Sequence, residues 1–259
     1  MGQQSDPQLP PIRRVEEIMS ASWPDLQATL YDGWVIRYAR GMSKRSNSVW
    51  PLYPPAEQSS VDLADRVDHC EQYYRVLERP VIFKLTNESI PATLDGELDR
   101  RGYTVVDTTI VQTRSLRSPI GETDPTAVVE DGFSDAWLAA FEVGHPMPNE
   151  ANRDLAYELF DRIRTPVQTI RCYSNGIPIG CGYAVLDSGL AGLFAIWVDP
   201  DARRRGVGAR LTNTLLASAR EAGADHAYLQ VVADNDAAVR LYARCGFDDY
   251  YRYWYRVLR

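Results

Sequence analysis

The chain is poor in lysine and has no surplus of positive charge. Of its 28 basic residues only Lys44 and Lys84 are lysines, and 35 acidic residues give a formal net charge of −7. Acidic residues outnumber basic residues in both halves of the sequence. Because a protein that binds nucleic acid usually carries a basic surplus, we expect no nucleic-acid partner.

Long apolar runs are also missing. No stretch approaches the roughly 18 apolar residues that a membrane-spanning helix needs. The N-terminal stretch MGQQSDPQLPPIRRVEE has no apolar signal core, and Asp6 stands where a myristoylation motif requires Ser or Thr. The sequence therefore predicts a cytoplasmic protein with no membrane partner, and it leaves the oligomeric state open.

Metal-binding spacings are absent. The four cysteines contain no CxxC pair, and with the three histidines they form no zinc pattern, so we expect no metal. Cys172 and Cys181 could face each other across a hairpin. Buried, reduced thiols are the interpretation we favour for a cytosolic protein.

The sequence divides at RSPIGETDP, residues 117–125, which is rich in proline and small polar residues. We predict a first domain at 1–118, a linker at 119–125 and a second domain at 126–259.

The second half reads as an ααβββαβαβ order, with a hairpin at Asn175-Gly176. The first half repeats the later part of that order, with strands at 28–41 and 47–53. Gly102-Tyr103 corresponds to Gly246-Phe247, because each pair ends a short helix and precedes a last strand. The prediction is an α/β fold with mixed sheets built from two copies of one unit. Two unrelated α/β halves are the alternative.

One stretch of the second half predicts an anion site. DPDARRRGVGARL, residues 199–211, leads from a buried strand into a helix whose apolar residues share one face. Glycine at a helix start costs about 0.5–1 kcal/mol relative to alanine, so some advantage must offset it. The free N–H groups and positive dipole of a first helical turn bind phosphate, and glycine lets a ligand approach the backbone. The chain has neither a Walker A motif nor a Rossmann fingerprint.

The same stretch resembles a known motif. Arg203-x-x-Gly206-x-Gly208 is similar to the acetyl-CoA signature (Gln/Arg)-x-x-Gly-x-(Gly/Ala) of the GNAT superfamily of N-acetyltransferases. The preceding AIWVDP and the later LQVVADNDAAVRLYARCGF also resemble that family. DGWVIRYARGMSKRSNSVWPL, residues 32–52, resembles the N-terminal part of a tandem subgroup.

The resemblance implies an enzyme that transfers an acetyl group from acetyl-CoA to the amine of a small molecule or peptide by direct attack. It implies that the backbone of Arg204 to Ala209, Val207 included, holds the pyrophosphate beside Arg203 and Arg205. It also implies that Ile196, Trp197 and Val198 pair with the pantetheine arm. Asn235 would contact the cofactor, and Tyr242 would reprotonate the thiolate as general acid. A solvated arginine loop, a core tyrosine and a simple helix cap are the rival interpretations.

The sequence departs from the family at the general base. The strand LAGLFAIWV carries no acidic residue, so the candidates are those around the loop VGHPMPNE: Glu142, His145, Glu150 and Asp154. For His145, a solvated loop histidine is the interpretation that we favour over a catalytic one. A chain of water molecules could also replace a dedicated base. The first half departs further, because its phosphate-loop position has no glycine and Leu98 stands where Tyr242 would be. We therefore predict a degenerate first copy. A non-catalytic CoA-binding sensor and, more remotely, a nucleotide hydrolase are the competing functions.

Overall fold

The computed structural model describes residues 9–258, so the interpretations of the first eight residues lie outside it. Seven helices lie within this range: α1 (Ile12–Ser22), α2 (Leu63–Val76), α3 (Leu94–Arg100), α4 (Asp135–Gly144), α5 (Glu150–Phe160), α6 (Val207–Glu221) and α7 (Asp236–Arg244). The strands of the same range are β1 (Gln27–Tyr31), β2 (Trp34–Tyr38), β3 (Val49–Trp50), β4 (Val81–Thr86), β5 (Thr104–Ser115), β6 (Val128–Asp131), β7 (Val167–Ser174), β8 (Ile177–Asp187), β9 (Leu190–Val198), β10 (His226–Val232) and β11 (Asp248–Leu258).

The chain forms two compact units, and neither is a continuous half. Unit 1 contains the chain through Ser22, together with Val111–Arg153 and Ile163–Tyr250. Unit 2 contains Trp23–Ile110, Asp154–Arg162 and the chain from Tyr251 onward. The boundaries fall inside β5, α5 and β11, whereas the sequence predicted one boundary at 119–125. That residues 1–118 are a degenerate copy stays a prediction.

Unit 1 is a mixed sheet with helices on both faces. Its strand order is β5-β10-β9-β8-β7-β6, in which β9 and β10 are parallel and the pairs from β9 to β6 are antiparallel. On one face, Leu211 and Leu215 of α6 pack against Ile170 and Ala184. On the other face, the rings of Trp137 and Phe141 on α4 stack against each other, and the sheet's Tyr183 contacts Trp137 edge to face.

Unit 2 has its own set of paired strands and its own core. The order is β1-β2-β3-β4-β11, and within it only β3 and β4 are parallel. One apolar cluster joins the sheet to α2 and α3, with Trp34, Tyr74 and Phe83 completely buried. A smaller cluster joins Leu155 and Leu159 of α5 to Ala39. In both units helices pack on mixed parallel and antiparallel strands. The predicted α/β fold is therefore confirmed.

Local signals explain most of the element boundaries. The side chains of Ser134 and Asp62 accept hydrogen bonds from the first turns of α4 and α2. The hairpin at Asn175-Gly176 has positive φ at both residues, as predicted. The ααβββαβαβ order runs from α4 to β11, but an additional strand, β6, precedes it. The single predicted strand at 28–41 is wrong, because Asp32 and Gly33, at φ 43° and 86°, turn the chain into a hairpin.

The predicted linker is held against α6 of unit 1. The backbone N–H of Asp124 donates to the hydroxyl of Thr214 at 2.9 Å, and the amide of Asn213 donates to the carbonyl of Glu122 at 3.0 Å. The cysteines are all free and buried. Cys172 packs in the cluster beneath α6, whereas the thiol of Cys181 points to the carbonyl of Ala140 on α4. The two thiols therefore lie on opposite faces of the sheet and do not meet.

Within residues 9–258, no helix is both long enough and apolar enough to cross a membrane.

Candidate active site

The sheet of unit 1 opens between β9 and β10. Parallel pairing joins Leu190–Leu193 to His226–Leu229 and then stops, although β9 continues to Val198 and β10 to Val232. The next residues of β9 form a bulge, because Tyr183 pairs with Phe194 while Cys181 pairs with Trp197. Two residues of β9 therefore face one of β8, and Ala195 takes a φ of 49°. The bulge turns the end of β9 away from β10 and leaves a strand edge to which an extended ligand can add.

The turn that follows β9 concentrates backbone donors. Arg204 and Gly206 have φ of 60° and 80°, and Gly206 is the N-cap of α6. Among the backbone hydrogen bonds outside the helices and strands of residues 9–258, none is donated by residues 204 to 206. The next three N–H groups, of residues 207 to 209, belong to the first helical turn and have no acceptor within the helix. Six consecutive N–H groups are thus available, at the positive end of a 15-residue helix.

The two glycines of this turn have different tasks. Gly206 is needed for its left-handed backbone, which residues with a Cβ adopt at a cost of roughly 1–2 kcal/mol. Gly208 is needed for space, because a Cβ there would lie 3.2 Å from Cδ2 of Leu241 and 3.5 Å from Cγ2 of Val198. The sequence argument assigned both glycines to ligand approach. The structure shows that Gly208 lets the first turn of α6 pack closely on α7 and β9.

The three arginines of the turn lie in solvent. Arg203, Arg204 and Arg205 are exposed, and in the part of the chain that the structure describes none forms an ion pair. The guanidinium of Arg203 donates to the carbonyl of Val198 at 3.1 Å and so ties the turn to the end of β9. The charges of the other two are free to attract an anion toward the backbone donors.

Tyr242 lies on α7 and is 9% exposed. Burial raises the pKa of its phenol to about 12, with a smaller contribution from the nearby Cys245 thiol. Its ring meets Phe247 edge to face at 6.1 Å, and within residues 9–258 its hydroxyl has no hydrogen-bond partner. The phenol is therefore fully protonated at neutral pH and has its proton available to donate. It is a core aromatic, as the rival interpretation held, and this does not conflict with an acid role.

Asn235 is confirmed as a helix cap. Its side-chain oxygen accepts from the backbone N–H of Ala238 at 3.1 Å, at the start of α7. The residue is exposed, and it follows directly on the open end of β10. Contact with a cofactor stays a prediction.

The end of α4 meets the end of β9. A Cβ on Gly144 would lie 2.5 Å from the indole of Trp197, so the helix backbone rests directly on that ring. The next residue, His145, stacks on Phe141 with ring centroids 4.6 Å apart. Burial lowers the pKa of His145, and its Nδ1 atom is buried without a hydrogen-bond partner. His145 thus directly follows the residue that packs on Trp197 at the end of β9.

The carboxylates predicted as bases are not equivalent. Glu142 and Glu150 both lie by Arg153, at 3.9 Å and 2.9 Å from its guanidinium nitrogens. Asp154 belongs to unit 2. Sequence reasoning overlooked Arg153, although its spacing of three residues from Glu150 on a helix is a recognised signal for such a pair. Among residues 9–258 no three metal-binding side chains cluster.

The donor-rich turn before α6 lies where the GNAT-like sequence motif predicted it. A family model described as "Probable histone acetyltransferase Rv0428c C-terminal" matches residues 10–256. The uncharacterized N-acetyltransferase YobR of Bacillus subtilis (strain 168) is 29% identical over 254 residues, covering 96% of this chain and 99% of that protein.

Solved structures agree on the fold. The GCN5-related N-acetyltransferase from Kribbella flavida superposes with a TM-score of 0.65 at 15% identity, over 96% of each chain. A tandem GNAT protein from the clavulanic acid biosynthesis pathway superposes with a TM-score of 0.64 at 14% identity, over 98% of this chain and 90% of that one. The chain belongs to the Rv0428c C-terminal family and is a GNAT-type N-acetyltransferase, as the sequence motifs indicated.

Proposed function

We propose that the protein transfers an acetyl group from acetyl-CoA to the amine of a small molecule or peptide, at a single site in unit 1. The observation that carries the proposal is the row of six free N–H groups from Arg204 to Ala209, in the segment between β9 and α6. Phosphate oxygens are strong acceptors and favour such a helix start.

The rest of the donor would follow β9. Beyond Leu193 the backbone of this strand has no partner on β10. The amides of a pantetheine arm could therefore add to Ile196, Trp197 and Val198 as a further strand does. An N–H group of this edge near Val198 would stabilise negative charge on the thioester oxygen. Arg203, Arg204 and Arg205 would attract the phosphates, and Asn235 would contact the cofactor beside them.

Tyr242 would act as general acid. The amine nitrogen forms a bond to the carbonyl carbon of the thioester, the carbon–sulfur bond breaks, and the phenol gives its proton to the departing sulfur. Its pKa of about 12 keeps the phenol protonated at neutral pH. The resulting phenolate regains a proton from solvent after turnover.

Among the candidate bases we propose His145. Burial lowers the pKa of its imidazole, and the backbone of Phe141 offsets part of that shift. Glu142 and Glu150 both form ion pairs with Arg153. The proton that the amine loses would pass to His145, directly or through water.

Calorimetry and turnover together test the proposal. Titration with acetyl-CoA should show one site per chain, and an amine panel should include a histone-tail peptide because the matched family's description names that class. Tyr242→Phe should lower kcat about 100-fold or more and keep the acetyl-CoA affinity. Tyr173→Phe, a change at the exposed tip of β7, is the matched control and should alter neither.

Four results would contradict the proposal. Absence of acetyl-CoA binding removes the donor assignment. Two sites per chain would show that the first copy is not degenerate. Binding without acetylation of any amine, or full turnover in Tyr242→Phe, would favour a CoA sensor or a different acid.

A further inference from the structure

Arg114 is a buried cation at the C-terminal end of α7. It lies on β5, far from α7 in the sequence, and is 6% exposed. Its guanidinium donates to the carbonyl of Cys245, the C-cap of α7, and to the carbonyls of Ser118 and Pro119 at 3.4 Å and 3.1 Å. No carboxylate within residues 9–258 pairs with it, and burial lowers its pKa. All of these residues belong to unit 1.

The turn that Arg114 contacts also fixes Tyr242. Gly246 has a φ of 81°, and the N–H of Phe247 donates to the carbonyl of Tyr242 at 3.0 Å. Phe247 is 2% exposed and contacts the Tyr242 ring. A Cβ on Gly246 would lie 3.2 Å from Nη1 of Arg114, so the guanidinium rests directly against this turn.

Burying an arginine without a carboxylate is costly, and packing alone does not require it. A cation is favoured at a helix C-terminus, where the last carbonyls carry partial negative charge. The planar guanidinium also holds several acceptors in a fixed geometry, which an apolar side chain does not. The buried guanidinium therefore fixes the position of the C-terminal end of α7 and does not add apolar contact.

We propose that Arg114 is a positioning residue, which fixes the C-terminal turn of α7 and through it the hydroxyl of Tyr242. The inference rests on the proposed acid role of Tyr242. Arg114 touches neither substrate and acts only by holding the turn. A displacement of the phenol by about 1 Å can cost up to about 100-fold in rate.

The test is a double-mutant cycle between Arg114→Met and Tyr242→Phe. Arg114→Met should lower kcat at least about ten-fold, with little change in acetyl-CoA affinity, and should lower it no further in the Tyr242→Phe background. Arg114→Lys keeps a charge and one donor and should recover part of the rate. If Arg114→Met does not fold, Arg114→Lys is used in its place. Arg171→Met is the control: Arg171 is 7% exposed but pairs with Glu130 on the other edge of the sheet, so any effect on kcat should be equal in both backgrounds.

Hydrogen exchange supplies a readout that does not depend on activity. The amide of Phe247 should exchange faster in Arg114→Met, since its bond to the Tyr242 carbonyl loses support, while the amides of β8 should keep their rates. Unchanged exchange at Phe247, or an equal fall in kcat in both backgrounds, overturns the proposal. A Tyr242→Phe enzyme with normal kcat overturns the acid role itself, and the exchange data then show separately whether Arg114 holds the turn.

Discussion

Gly206→Ala and Gly223→Ala form a matched pair of perturbations on α6. Gly206 precedes the helix with a φ of 80°, and Gly223 follows it with a φ of 93°. A Cβ at residue 206 would meet only the flexible end of Arg210, at 2.8 Å, and one at residue 223 would meet nothing within 4 Å. Both substitutions therefore act through the backbone, and each should lower the free energy of unfolding by roughly 1–2 kcal/mol.

Only one of the two should weaken binding of acetyl-CoA. In Gly206→Ala the turn can relieve its strain by leaving the left-handed conformation, and binding must restore it. Strain of 1–2 kcal/mol corresponds to a Kd about 5- to 30-fold higher. Gly223 lies at the other end of the helix, so its substitution should change Kd less than about two-fold.

Urea unfolding and calorimetric titration of the two variants measure both quantities. Equal stability losses with a Kd change confined to Gly206→Ala would support the donor turn as the phosphate site. If Gly206→Ala loses stability but keeps its Kd, or if both variants lose affinity equally, the reasoning is refuted.

Three further predictions concern charge and pH. In the parent, kcat/KM should fall in acid at a pH below the ordinary pKa of histidine, because burial lowers the His145 pKa. His145→Gln should abolish this acid limb of the pH profile. A retained acid limb would exclude His145 as the base. The hydrogen bonds of Arg171 and Ser134 hold the pKa of Glu130 at about 2, so this carboxylate stabilises the fold above its unfolded pKa and the stabilisation is lost as the pH falls toward 2. Glu130→Gln should therefore be less stable at neutral pH and show a shallower loss in acid, and identical unfolding curves against pH would contradict the pairing. Arg204→Gln with Arg205→Gln should raise the acetyl-CoA Kd by a few fold and flatten its dependence on salt, whereas an unchanged salt slope would show that these charges do not face the phosphates.

Local signals in the sequence predicted much of the fold and the candidate site. The glycines at 206 and 208, the Asn175-Gly176 turn and the cap at Asn235 each act within a few residues, so their consequences can be read along the chain. The Asp32-Gly33 turn carried the same kind of signal and was overlooked inside an apolar run. Similarly, α1 shows buried Val15, Ile18 and Met19 at helical spacing but was not predicted.

Other features depend on contacts distant in sequence. The bulge at Ala195 follows from the register between β8 and β9, and no single residue of the sequence indicates that register. Both β5 and β11 follow a glycine–aromatic turn with similar patterns, so the sequence does not tell which strands each one pairs with. The role of Arg114 is also non-local, because its acceptors on α7 are carbonyl groups and carry no side-chain signal.

The way the units share the chain has a consequence for folding during synthesis. Domains generally fold as they emerge from the ribosome, N-terminal first. Here β4 of unit 2 pairs with Tyr253–Leu258 of β11, and unit 1 needs both α1 and β10. Neither unit has all of its strands until nearly the whole sequence has been translated, so one edge of β4 stays unpaired through most of elongation. Nascent chains stalled at residue 125 should accordingly be sensitive to protease throughout, and the two units should acquire resistance together.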